Sequence, residues 1–409
     1  MNEENIKNVI KAIENFIKWL NNFGELSYDH QSYFASPLGG RAKALYYKSP
    51  ILGTLAVSPM IVSEAFLPAA RCLFWKKQRL PIADAHYAMG FSYLYQVLNT
   101  EDYYNKAVHF LNILLQTRCQ DYDNYCWGYP FNWETRNGTI PIGTPLITTT
   151  PYAYEAFWEV YKIDNNEKWL EVIHSIVQHV VNDIKDFKIS TNAKTCSYSP
   201  LKNDFGGIVN ASAYRAFLLT SASILLNSNS YWKIAEQNLN FVLQAQQENG
   251  SWFYAIDNKR DFVDHFHTCF VLKALAKIER LTGHEGCNLA INKGVEFYVQ
   301  NLFTEEGYPK PFSIAPRLTV YKQELYDYAE CINLGILLND RFDSLHVVFN
   351  KTLEDLFMRW QRRDGSFRSR KLIFGWDNVP MHRWAQAQIF RSLSYLVFTH
   401  KQKNQLQRI

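Results

Sequence analysis

From residue 82 onward, apolar residues recur three and four positions apart, the spacing of helices that bury one face. Six of these segments are apolar almost all round and rich in small residues: "IADAHYAMGFSYLYQVL" (82–98), "TTTPYAYEAFWEVYKI" (148–163), "NASAYRAFLLTSASILL" (210–226), "VDHFHTCFVLKALAKIERL" (263–281), "YKQELYDYAECINLGILL" (321–338) and "MHRWAQAQIFRSLSYLVF" (381–398). Between them lie amphipathic segments such as "EDYYNKAVHFLNILLQ", "NEKWLEVIHSIVQHVV" and "SYWKIAEQNLNFVLQ". A helix apolar on every side is buried, and one with a polar face is outside. The alternation, with a period of about 60 residues, predicts stacked helix pairs that close on themselves. The expected fold is all-α: a single (α/α)6 toroid over residues 1–409, six inner and six outer helices, with 1–80 as closing helices and loop. The sixth outer helix comes from residues 3–22 or from 55–75.

The junctions repeat as well. An outer helix ends near a glutamine, and a short turn with glycine and an aromatic follows: "VLQAQQENGSWF", "YVQNLFTEEGYP" and "RWQRRDGSF". Gln246 to Trp252 and Gln361 to Phe367 resemble the QW turns of terpenoid cyclases and protein prenyltransferases. The six-hairpin layout resembles N-acylglucosamine 2-epimerases, uronyl hydrolases, and the toroids of uronyl C5-epimerases and polysaccharide lyases. Segments such as "RLPIADAHYAMGFSYLY" and "VPMHRWAQAQIFRSL" are similar to helical-toroid proteins of bacterial surface-polysaccharide biosynthesis. These resemblances imply a toroid and, for most of the groups, chemistry on sugars.

Composition narrows the function classes. Hydrophobic residues make up 47% and charged residues 20%, so a large core is available. A net charge of +4 without a long basic run argues against nucleic acid as a partner. No uncharged apolar stretch is long enough for a membrane span, and the N-terminus lacks the apolar core of a signal peptide. Seven scattered cysteines form no disulfide framework, which points to a reducing, cytoplasmic setting. Aromatic residues, at 15%, suit either a large core or a sugar-binding groove. The oligomeric state stays open.

Polar residues gather at the starts of the inner helices. Asp84, Thr148, Asn210 and Asp264 are ordinary capping types. Histidine and arginine are not, because positive charge is disfavoured at a helix N-terminus. His86, His265, His267, His382 and Arg383 therefore stand out. Asp264 and His267, three apart, share a helix face, and an acid bonded to an imidazole fixes its tautomer. The expected catalytic set is His265 or His267 as base, Asp264 as its orienter and His382 as the opposing acid. The epimerases that the layout resembles use paired histidines in this way. Arg383 and Arg215 are candidate anion clamps, and Tyr152 and Tyr214 candidate proton donors or stacking surfaces. Glu155 and Glu330, with Asp204, Asp264 and Asp327, keep a two-carboxylate glycosidase open. Trp127, Tyr129 and Trp133, in a long loop, are candidate sugar platforms, and Arg41 a candidate anion contact. No cofactor or metal is expected: the cysteine spacing does not match a zinc site. The expected function is a carbohydrate-active enzyme, an epimerase or lyase abstracting a proton from a uronic acid or amino-sugar glycan or its precursor. Alternatives are a glycoside hydrolase, a non-catalytic glycan-binding toroid and an isoprenoid enzyme.

Overall fold

The structure is a computed structural model that describes residues 3–406. The inner helices are Pro81–Leu98, Thr150–Asp164, Val209–Leu225, His265–Thr282, Leu325–Leu338 and Ala387–Leu406. The outer helices are Glu3–Phe23, Glu101–Gln116, Glu167–Asn182, Asn229–Gln244, Glu285–Asn301 and Asp343–Asp355. Inner and outer are numbered one to six below in these orders. The (α/α)6 toroid is thus realised. Inner helix six packs against inner helix one, with Phe91 and Phe390 at 4.8 Å and Tyr93 and Phe398 at 5.3 Å between ring centroids.

The two ends of the ring differ because the connections differ. An inner helix passes to its outer successor in a few residues, through left-handed positions at Asn99, Asn165 and Gly283. The return connections to the inner N-termini are long, and they carry small antiparallel hairpins such as Trp133–Thr135 with Gly138–Ile140. All six inner helices therefore begin at one elaborated mouth, where loops of this length serve binding.

The glutamine turns act as staples between neighbouring outer helices. Gln246 Nε2 donates to Gly250 O and to Ala290 O in outer helix five. Gln361 does the same to Gly365 O and to Ala12 O in outer helix one, which joins the last repeat to the first. Both glycines have positive φ, +88° and +95°, and each lies so close to the next helix that a Cβ would meet a carbonyl oxygen. The aromatic of the turn locks back: Trp252 Nε1 donates to Val242 O at 2.9 Å.

Residues 3–23 supply the sixth outer helix. Residues 55–75 do not. They belong to a helical hairpin, Pro37–Lys48 and Pro50–Phe66, followed by short turns. It is held over the mouth by Glu64 on Arg370 and, through the short turn that follows it, by Arg71 on Asp377.

Candidate active site

Inner helix four starts where Val263 and Asp264 pair antiparallel with Ile314 and Phe312. Asp264 caps the helix: Oδ1 accepts the His267 backbone N–H at 2.8 Å, and Oδ2 accepts from His267 Nδ1 at 2.6 Å. One carboxylate thus fixes both the helix start and the imidazole. The Asp264 side chain is 2% exposed and that of His267 23%. With Nδ1 turned to the carboxylate, Nε2 is the ring nitrogen that has no partner among the described residues.

His267 sits among a series of aromatic rings at the mouth. It abuts Tyr254 (4.7 Å) and Phe266 (4.4 Å). Phe266 meets Trp384, which stacks on Tyr326 at 4.3 Å and lies 4.2 Å from His30. The Arg383 guanidinium lies 4.6 Å over Tyr129, and Tyr129 leads through Trp133 to Tyr198. Burial pushes the Tyr254 and Tyr326 hydroxyls up, so both keep their protons as donors. Neither hydroxyl has a protein partner among the described residues.

Acids cluster beside the dyad. Glu324 accepts from Arg370 Nε and from Trp384 Nε1. Asp327, fully buried, has no partner on either oxygen. Burial, then the fields of Glu324 and Asp264, raise its carboxyl far above the usual range, so it is a neutral acid.

Other anticipated residues face elsewhere. His265 Nδ1 donates to Leu302 O and Lys310 O, and its Nε2 accepts from Tyr298 Oη, all in the wall toward outer helix five. His382 is tied to Tyr87 Oη and Gly24 O, against outer helix one. Burial lowers these imidazoles to about 3 and about 4, and both are neutral. The pair does not face across a shared site. Each is held by backbone carbonyls where long loops leave the outer helices: His265 by Leu302 O and Lys310 O, His382 by Gly24 O. Arg215 is consumed the same way by Val180 O, Ile184 O, Asp186 and Asn238. Arg383 is gripped by Asp29 at two points, with Nη1 on Tyr129 Oη, so its charge is already answered. Trp127 is fully buried, its Nε1 on Leu114 O, and it presents no face to a ligand. Arg41 is exposed on the hairpin.

Below the rim the ring axis is polar. Tyr152 and Tyr214 share a hydrogen bond, Glu330 pairs with Lys273, and Glu155 pairs with Lys277. An isoprenoid chain needs an apolar lining, and these charges remove that reading. His86, with neither nitrogen bonded, packs on Tyr152 at 4.5 Å. A separate cleft of about 420 Å³ between outer helices one and two is lined by Glu25, Arg79 and His109, with Glu25 paired to both of the others.

Asp29, His30, Glu324, Trp384 and the Tyr254–Tyr326 pair are the rim residues that sequence reasoning missed. Trp384 lies within two positions of His382, and "YDH" at 28–30 places an acid beside a histidine in a long loop. Those are the available signals.

No protein-family model matches the chain, and none of the curated proteins matches it. Its fold is similar to that of several solved enzymes. Cellobiose 2-epimerase from Bacillus thermoamylovorans superposes with a TM-score of 0.62 at 10% identity, covering 79% of this chain and 88% of that one. D-mannose isomerase gives 0.59 at 13% identity over 78% and 86%. The GH76A α-1,6-mannanase from Salegentibacter gives 0.56 at 12% identity over 78% and 90%. At these identities the likeness concerns the fold.

Proposed function

We propose that this toroid is a carbohydrate-active enzyme that removes a proton from a sugar carbon, leading to isomerisation, epimerisation or elimination. One observation carries the reading: His267, oriented through Nδ1 by a buried carboxylate, offers an unpartnered Nε2 within a rim of tyrosine and tryptophan. Nε2 takes the proton from a carbon next to a carbonyl. The Tyr254 or Tyr326 hydroxyl donates to the carbonyl oxygen, where charge develops. The same imidazolium returns the proton to the neighbouring carbon in an isomerisation. Epimerisation needs a donor on the opposite face. With Tyr254 on the carbonyl oxygen and His382 in the wall, Tyr326 is the candidate. It gives its proton to the carbon and regains one from solvent as His267 releases the proton it took. The aromatic faces of Trp384 and Trp133 suit the apolar faces of a sugar ring. Since Arg383 and Arg215 are both committed to protein partners, a neutral or amino sugar of a surface glycan or its precursor suits the rim better than a uronic acid. The epimerase and isomerase among the similar folds support the same class.

Hydrolysis is the second reading, favoured by Asp327 as a protonated acid near Glu324. A panel of reducing mono- and disaccharides, incubated with the protein in D2O and read by mass spectrometry, separates the two. Deuterium enters the recovered sugar with the wild type and not with His267→Ala under the proposed reading. Reducing ends released without deuterium, and lost in Asp327→Asn, overturn it in favour of hydrolysis.

A further inference from the structure

The Pro37–Lys48 and Pro50–Phe66 hairpin leaves an apolar helix face uncovered. On its second helix the outward positions are Ile51 (78% exposed), Leu55 (67%), Val62 (56%) and Phe66 (61%), spaced as one helical face, with Leu52 beside them. The opposite face, with Gly53 and Met60, is buried on the protein, as is Ala65 at its flank. This helix is therefore apolar nearly all round yet covered on one side only, whereas a surface helix ordinarily turns a polar face to water. The first helix presents Leu38, Arg41, Leu45 and Lys48, again one face, alternating apolar and cationic. Exposed Leu73 follows, then Lys76 and Lys77, and Phe374 stacks on Phe66 to widen the patch. The hairpin's one acid, Glu64, is taken by Arg370.

We propose that this hairpin seats the toroid on an anionic lipid surface, with the mouth held beside the bilayer. Apolar side chains flanked by cations that meet no acid among the described residues match the two layers of such a surface, acyl boundary and negative headgroups. The helix, about 25 Å long, lies in the interface plane, and no helix among the described residues is long and apolar enough to cross a membrane. A second copy of the chain fits less well. A two-fold contact would set the same cations, Arg41, Lys48, Lys76 and Lys77, against themselves. The hairpin and the turn after it clamp the mouth loops through Glu64 and Arg71, so docking presents the rim to glycans carried on lipid. The inference concerns the surface and does not depend on the chemistry at His267.

Sedimentation of the full chain with phosphatidylglycerol–phosphatidylcholine vesicles, and with phosphatidylcholine vesicles alone, tests it. The wild type pellets with the anionic vesicles, and less at high salt. The exposed triple variant Leu55→Glu, Val62→Glu, Phe66→Glu keeps its helical spectrum and loses binding more than about tenfold. Arg41→Glu with Lys48→Glu weakens binding to anionic vesicles by about fivefold or more for each charge. Failure of the wild type to pellet with either vesicle overturns the proposal. So does a concentration-dependent dimer in light scattering that the same triple variant dissolves, which assigns the face to a second copy.

Discussion

Asp29 and Arg383, at opposite ends of the chain, meet in a two-point ion pair, Nη2 to Oδ1 at 2.6 Å and Nε to Oδ2 at 2.9 Å. Burial works to raise the Asp29 carboxyl, but Arg383 and His30 outweigh it and hold it far below the usual carboxylate range. The pair ties the loop after outer helix one to the entry of inner helix six, across the seam of the ring. Asp29→Ala leaves a buried guanidinium with Tyr129 as its main remaining partner and should cost about 3–5 kcal/mol. The double variant Asp29→Leu, Arg383→Met should recover most of that loss in urea unfolding. A double variant as unstable as the single would show that packing at the seam, rather than the stranded charge, sets the penalty.

Asp264 performs two tasks that substitution separates. An asparagine at this position still accepts the His267 backbone N–H, so Asp264→Asn keeps the cap and stays within about 1 kcal/mol of wild type. Its amide no longer accepts a proton from Nδ1 in the same geometry, and the tautomer is lost. Deuterium exchange into the sugar should fall by about 10²-fold or more. Asp264→Ala should lose both stability and turnover. If Asp264→Asn turned over sugar at the wild-type rate, the carboxylate would serve as a helix cap alone.

Periodicity carries the fold, because an apolar face repeated along the chain leaves few ways to bury it. It carries the height of the polar residues too: those at inner helix starts do lie at the mouth. It does not carry their direction around each helix. His265 and His267 are two positions apart, about 200° around the helix. One faces the wall and the other the rim. Which way each turns depends on where backbone carbonyls such as Leu302 O and Gly24 O lie, and chain distant in sequence supplies these. The sequence misplaces Arg215 and Arg383 for the same reason, since their partners Asp186 and Asp29 lie in such loops. The hairpin over the mouth is legible as helix but not by position, because apolar content alone does not say what a helix leaves uncovered.

The glutamine turns make a prediction about glycine. Gly250 and Gly283 both hold positive φ, yet a Cβ at Gly250 would lie 2.3 Å from Lys293 O, while Gly283 has open space around it. Gly283→Ala should cost about 1 kcal/mol, the left-handed backbone term alone. Gly250→Ala adds a collision with outer helix five and should cost at least about twice as much. Equal melting temperatures for the two variants would mean that the turn does not staple its neighbour.

The buried histidines set the acid limit of stability. His265 and His382 drop from an ordinary 6.5 to about 3 and about 4 because burial penalises the charged ring. The unfolded chain then binds protons that the folded chain refuses. Their contribution is full above pH 6.5 and is lost as pH falls toward 4 and 3, at about 1.4 kcal/mol per pH unit for each histidine. Asp84 acts with the opposite sign. Burial raises its carboxyl from 3.8 to about 7 despite Arg79, so the stability it contributes is present below 3.8 and lost as pH rises through 7. The two effects overlap between pH 4 and 6.5, and single variants resolve them. Urea midpoints for His382→Gln should fall less steeply toward acid than those of the wild type, by about that one-proton slope. Asp84→Asn should instead remove a loss on the neutral side. A His382→Gln profile parallel to the wild type would mean that the imidazole takes up its proton within the fold, and the wall contacts with Tyr87 and Gly24 would not hold it neutral.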